Sequence, residues 1–230
     1  MAFELMVDYT ELSLSSVDYF KEMGYPDRRV PDIVRQIVEE MTEIIRNEVK
    51  SSFAFSILEG EVVSTQVILN EYDLLEIGEV LGHLMQDSER IAVFVATAGI
   101  TYQSLLDEIK KKDDLLHWFI LDSMGSCLVE RTGDIMERYL EQHIPEYRHT
   151  ARFSPGYCGW KLTEQRKIFQ ILGNNVCGIS LSESCLMYPI KSISGIVGIG
   201  KNVCEKKYGC NICKQNNCYK RRKNKTHEKY

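Results

Sequence analysis

An α+β fold is predicted for this chain by three observations. Apolar residues recur at three and four positions between Pro31 and Val49, β-branched runs occur at 62–69 and 91–96, and the order of helical and strand-like segments does not alternate as regular βαβ units. Pro31-Asp32 opens the first helix, to about Val49, in which Ile33, Ile37, Met41, Ile44 and Ile45 form one apolar stripe. Val62 to Leu69 reads as a strand, and so does Ile91 to Ala96. Thr97-Ala98-Gly99 is then a turn, Tyr102 to Lys111 a helix, and a longer helical region runs from about Leu115 to Glu141, ending before Pro145. Thr150 to Phe153 reads as a strand and Thr163 to Leu172 as a helix; Ser184 to Met187 and Ser192 to Ile199 are β-rich. Gly195, Gly198 and Gly200 lack the spacing of a Rossmann or P-loop signature, so they read as strand glycines that permit close packing.

A chain of 230 residues with 44% apolar content can bury one large domain, or one domain and an appendage. Charge marks where the two divide. From Lys201 to Tyr230 there are ten Lys or Arg and two acids, a net of +8, whereas residues 1–200 hold 18 basic and 31 acidic side chains, a net of −13. The expected organisation is a domain over 1–200 and a basic, Cys-rich tail over 201–230. The acidic body argues against nucleic-acid binding, and the run Lys220-Arg221-Arg222-Lys223 reads as a solvated terminal tail. The first six residues have neither a basic n-region nor an apolar core, and no apolar run approaches the roughly 20 residues needed to span a bilayer, so a cytoplasmic protein is expected.

Several chemistries leave no trace. The sequence has no Gly-x-Ser-x-Gly elbow and no His-Glu-x-x-His, and His83, His117, His143, His149 and His227 are scattered, as surface or core histidines are.

Arg152-Phe153-Ser154-Pro155-Gly156-Tyr157 is the segment that suits a ligand, specifically a small zwitterion. Arg152 offers a planar, permanently charged fork that can hold a carboxylate bidentately. Pro155 fixes its own φ and pushes Ser154 towards extended geometry, and Gly156 lets the backbone approach a ligand closely. Tyr157 then brings a ring and a hydroxyl to the rim. By itself the hexapeptide is equally compatible with a surface turn and a solvated arginine.

The hexapeptide is followed by a helix start at Trp160-Lys161-Leu162-Thr163-Glu164-Gln165, and then by Leu181-Ser182-Glu183-Ser184-Cys185-Leu186-Met187-Tyr188-Pro189-Ile190-Lys191-Ser192-Ile193-Ser194-Gly195. This succession resembles the activation domain of cobalamin-dependent methionine synthase, in which Arg-x-x-Pro-Gly-Tyr leads to a helix and then to a Met-Trp/Tyr-Pro and Ser-x-Ser-Gly stretch. The match is closest to free-standing proteins similar to that domain. It is specific over about residues 152 to 198, and weaker upstream at Leu121 to Ser126. The resemblance implies a bent antiparallel sheet with flanking helices. It also implies S-adenosylmethionine as ligand, whose sulfonium methyl passes to cob(I)alamin, with a thioether leaving, when an oxidised cobalamin is reduced. No side chain need act as acid or base in such a transfer, so catalysis is positioning. Carried over by position, Arg152 would hold the methionyl carboxylate and the backbone of Ser154, Pro155, Gly156 and Tyr157 would line the ligand, with Tyr157 near the corrin face. Aligning Tyr139-Leu140 with the family's long helix places Asp134 on the ammonium side, where the family has Glu; Glu130 lies one turn away. Ser182, Ser184, Lys191 and Ser192 match the family stretch and are expected to shape the strands beneath the pocket.

No Asp-x-His-x-x-Gly run of the kind that ligates cobalt is present in this sequence, so cobalamin is expected on a partner: a cobalamin-binding methionine synthase module or another corrinoid protein, with a reductase or flavodoxin as electron source. The tail departs from that family. Cys204, Cys210, Cys213 and Cys218 form C-x5-C-x2-C-x4-C, a spacing that suits zinc or an iron–sulfur cluster better than disulfides. Cys127, Cys158, Cys177 and Cys185 read as small buried residues, Cys158 being the one next to the ligand segment. Two function classes follow: a reactivase-like accessory protein that supplies the S-adenosylmethionine site, and a metal-stabilised interaction module that keeps the fold without the ligand.

Overall fold

A computed structural model of the chain describes residues 2–25, 29–70 and 72–203. In chain order these form β1 (Phe3–Val7), α1 (Tyr9–Leu12), α2 (Ser16–Glu22), α3 (Asp32–Glu48), β2 (Ser51–Val63), β3 (Gln66–Leu69), β4 (Tyr72–Glu76), α4 (Gly78–Leu84), β5 (Arg90–Thr97), α5 (Ile100–Lys111) and α6 (Leu115–His143). They continue with β6 (Arg148–His149), a 3₁₀ turn at Leu162–Glu164 leading into α7 (Gln165–Leu172), β7 (Ser180–Leu181), β8 (Met187–Tyr188) and β9 (Ser192–Gly200). The fold is α+β, as expected.

Seven strands make one curled antiparallel sheet in the order β4-β3-β2-β5-β9-β6, with β1 added on β2. The 13 residues of β2 serve two neighbours along one edge, β1 over Ser51 to Phe55 and β3 over Gly60 to Val63. The expected strand at Val62 to Leu69 is corrected: it is the tip of the β2–β3 hairpin. Ser64, in the left-handed region at φ 57°, and Thr65 turn the chain back on itself. The expected β-rich piece at Ser184 to Met187 is likewise corrected: Ser184 to Leu186 lie in the loop of a small hairpin, β7 and β8, and only Met187 is in a strand.

Burial on both faces explains the unbroken apolar run of β5. Ala92, Phe94 and Ala96 face a core shared with α1, α2, α3, α5 and α6, while Ile91, Val93 and Val95 face a second core with α4, α7 and Trp160. The stripe of α3 keeps Ile37, Met41 and Ile45 of the expected set but takes Val34 and Val38 in place of Ile33, with Ile44 only partly buried. Val34, Ile37, Val38, Met41 and Ile45 are buried, and Ile33, in the first turn, is 53% exposed. α6 crosses the first face, burying Leu121, Met124, Leu128, Ile135, Met136 and Leu140.

At the far edge of β9 the chain does not form the expected strand over Thr150 to Phe153. Instead β6 pairs briefly, Thr150 exchanges hydrogen bonds with Gly198, and a single bridge joins Phe153 to Ile196. The β9 glycines make this approach possible: a Cβ at Gly195 would lie 2.0 Å from the Phe153 carbonyl oxygen, and one at Gly198 would lie 3.2 Å from Thr150 Cγ2. Phe153 is thereby fixed in the second core, and Arg152, the residue before it, is turned towards the acidic face of α6.

Candidate functional site

Arg152 lies across the outer face of α6 with its side chain 17% exposed. Its Nη2 donates to Asp134 Oδ1 at 2.8 Å and is 3.6 Å from Glu130 Oε2. Nη1 reaches the Glu130 carbonyl oxygen at 3.5 Å, and Nε is 3.6 Å from Glu137 Oε2. The guanidinium lies so close to the helix that a Cβ at Gly133 would be 1.7 Å from Nη1. The structure therefore brings together Arg152, Asp134 and Glu130, and adds two residues that the sequence reading missed, Glu137 and Gly133. Glu137 was legible as the next member of the series Glu130, Asp134, Glu137, Glu141, spaced four, three and four along one helical face. Gly133 could not be recognised, because its role is to make room for a side chain 19 positions downstream.

The three acids differ in environment. Asp134 and Glu130 are about half exposed (49% and 53%), whereas Glu137 is 22% exposed. Burial raises the pKa of the Glu137 carboxyl above its ordinary value, outweighing the opposing pull of Arg152 and His149. His149 shows the converse balance. Burial alone would depress its pKa, but hydrogen bonds to the Thr150 carbonyl (2.8 Å) and to Glu141 (3.2 Å) stabilise the imidazolium and raise it. Asp134, Glu137, Glu141, His149, Arg131 and Arg138 line an open cleft of about 470 Å³ beside the arginine.

Beyond Phe153 the chain makes a tight turn. Gly156 N donates to the Trp160 carbonyl at 2.8 Å and Trp160 N donates to that of Tyr157 at 2.9 Å, while Trp160, 1% exposed, anchors the turn in the second core. Gly156 stands at φ +94°, which a residue with a Cβ adopts only at a cost. Pro155 is buried, Ser154 is half-buried, and Gly156 and Tyr157 are exposed, the tyrosine to 53%. The turn thus presents backbone and an exposed aromatic ring a few residues after Arg152 in the chain.

The remaining sequence matches are structural. Lys191 Nζ bridges Asp122 Oδ1 (2.8 Å) and Ser126 Oγ (3.1 Å), joining the start of β9 to α6. Ser192 Oγ donates to Thr97 Oγ1 at 2.8 Å, and Ser182 Oγ accepts from Leu186 N at 2.9 Å to close the β7–β8 hairpin. Ser184 Oγ meets that of Ser182 at 3.0 Å. Cys185 is buried with Arg166 Nε 3.3 Å from its sulfur, and burial pushes the Cys177 thiol up to about 12.

The family model described as vitamin B12 dependent methionine synthase, activation domain, matches residues 82–224, more than half of the chain. The chain belongs to this family. Among solved structures, this activation domain superposes on the MetH reactivation domain, crystallised bound to AdoHcy, with a TM-score of 0.72 over 91% of this chain and 81% of that one; the two are 14% identical, so the likeness shows the fold. No curated protein matches. Cys204, Cys210, Cys213 and Cys218 lie outside the described residues of the activation domain. Among the described residues no group of three or more His, Cys, Asp or Glu is arranged to hold a metal, and no helix is long and apolar enough to cross a membrane.

Proposed function

We propose that this activation domain binds S-adenosylmethionine and presents its methyl group for reductive methylation of a cobalamin held by a separate module, so returning that cofactor to service in methionine synthesis. The observation that carries the reading is the Arg152–Asp134 pair, 2.8 Å apart, with the Ser154 to Tyr157 turn following two residues later in the chain. A cation and an acid side by side complement the carboxylate and ammonium of a methionyl group, and Arg152 supplies the planar fork a carboxylate prefers.

The cobalamin supplies the cobalt nucleophile; this chain's residues bind and orient. Arg152 holds the carboxylate, Asp134 or Glu130 takes the ammonium, and the backbone of Ser154, Pro155, Gly156 and Tyr157 lines the ligand. Tyr157, with its exposed ring, stands ready to meet the flat face of a corrin. The partner in this reading is the cobalamin-binding module of a methionine synthase or another corrinoid protein, with a reductase or flavodoxin delivering the electron. Cys204, Cys210, Cys213 and Cys218 hold zinc or an iron–sulfur cluster.

Calorimetric titration of reduced, metal-replete protein with S-adenosylmethionine tests this. Saturable binding is expected. Arg152→Ala is expected to weaken it by about 1.5–3 kcal/mol, the scale of a charge-assisted hydrogen bond, or roughly ten- to 150-fold in Kd. No binding to the unaltered protein refutes the reading and favours an interaction module that has kept the fold alone.

A further inference from the structure

Arg152 has three carboxylates around it and one open edge. Its Nη1 is covered by the α6 backbone at Glu130 and Gly133, and its Nε is met by the less exposed Glu137. Only Nη2 lies among groups that can move away, Asp134 at 2.8 Å and Glu130 at 3.6 Å, each about half exposed. A ligand carboxylate can therefore reach the guanidinium only where Asp134 now is. Resting on the reading that Arg152 takes the methionyl carboxylate, we infer that Asp134 exchanges partners on binding: it closes Arg152 in the free protein and turns to the ligand's ammonium when the carboxylate arrives.

Charge and space support the exchange. Three acids on one guanidinium leave an excess of two negative charges, so a carboxylate arriving alone would be a fourth acid at one cation, which like-charge repulsion opposes. An ammonium arriving with it removes Asp134 from competition in the same step. Asp134 lines the 470 Å³ cleft and so has room to turn, and Arg131 and Arg138, three residues before it and four after it on the same helix, line that cleft too. Glu137 is the least exposed of the three acids and stays as the resident counter-ion. The site then selects zwitterions over ligands that have only the carboxylate or only the ammonium, and Asp134 is the residue that sets this specificity.

The test is calorimetry on the whole protein with three ligands: S-adenosylmethionine, its 2-oxo analogue, which keeps the carboxylate and sulfonium but has no ammonium, and decarboxylated S-adenosylmethionine. The decisive comparison is the 2-oxo analogue on Asp134→Asn against unaltered protein, with Asp134→Ser as a second variant and thermal melts to show that both are folded. Exchange predicts that the analogue binds the variants about tenfold more tightly, because the competing carboxylate is gone. Unchanged or weaker binding of the analogue overturns the exchange while leaving the site itself standing, since it would mean that Asp134 does not compete with the ligand carboxylate for Arg152. Decarboxylated ligand matching S-adenosylmethionine in affinity for the unaltered protein also overturns it. Absence of S-adenosylmethionine binding to the unaltered protein overturns both the exchange and the function on which it rests.

Discussion

Gly133→Ala separates what the fold needs from what the ligand needs. Gly133 lies inside α6, where alanine is favoured over glycine by about 1 kcal/mol. The added Cβ would come to 1.7 Å from Arg152 Nη1 and 2.8 Å from its Cζ, so the guanidinium must leave the helix face; Ile193 Cδ1, at 3.0 Å, yields by a few tenths of an ångström. Moving the arginine gives up its ion pairs with Asp134 at 2.8 Å and with Glu130 and Glu137 at 3.6 Å, together about 1 kcal/mol for contacts that solvent screens. Gain and loss nearly cancel, and the melting temperature is expected to stay within a few degrees of the unaltered protein. Binding has no such compensation. With the fork displaced, the ligand carboxylate loses a charge-assisted contact of about 1.5–3 kcal/mol, and calorimetry should show S-adenosylmethionine binding weakened by roughly ten- to 150-fold. A folded variant with unaltered affinity would refute the reasoning, because it would mean that the Arg152 position against Gly133 is not the one the ligand meets.

Gly195→Ala drives a Cβ to 2.0 Å from the Phe153 carbonyl, backbone that cannot swing aside, so destabilisation at the upper end of the ~1–3 kcal/mol range for overpacking is expected in chemical denaturation; a change below about 0.5 kcal/mol contradicts the β9 contact. His149 has its pKa raised in the folded state, so its contribution to stability is full below the unfolded value of 6.5 and is lost as pH rises through the folded one; Glu137, also raised, does the same just above its ordinary 4.5. Thermal melts across pH should therefore fall with rising pH above 6.5, less steeply in His149→Gln, and parallel curves for the two proteins would remove His149 from the account. For the tail, iron, sulfide and zinc analysis of anaerobically purified protein is expected to return one zinc or one cluster per chain, and conversion of Cys210 and Cys213 to serine should abolish it; metal retained by that variant dismisses the four-cysteine site.

The long periodic segments were legible because burial imposed their pattern. β5 read as a strand from its β-branched residues, β9 as β-rich with strand glycines, and α3 as a helix from recurrence at three and four residues. Boundaries failed where the signal was weak for a physical reason. Ser64-Thr65 turns the chain without glycine or asparagine, so the end of β2 and the whole of β3 looked like one strand. β1 is five residues at a sheet edge, and α1 and α2 are single short helices whose capping pairs, Asp8 with Glu11 and Ser15 with Asp18, were the available signals. In the site, Arg152 and the Pro155-Gly156-Tyr157 turn could be read because their chemistry is local. Gly133 and Glu137 act on a side chain from another element, and only the packing of the Phe153 segment against β9 brings that side chain to them.

The packing that stabilises the domain also sets the direction of the acids. Ile135, Met136 and Leu140 must face the sheet, and at 3.6 residues per turn this leaves Glu130, Asp134, Glu137 and Glu141 together on the side that passes the end of β9. A rotation of α6 large enough to move Asp134 out of reach of Arg152 would expose Met136 or Leu140, so the apolar core holds the carboxylates in register with the arginine. Three acids around one guanidinium are a cost to the empty domain: burial is the main cause of the raised pKa of Glu137, and repulsion from Asp134 and Glu141 adds to it. A ligand bearing two positive charges and one negative relieves it. Under the proposed function, the charge imbalance of the free site complements the net positive charge of a sulfonium amino acid.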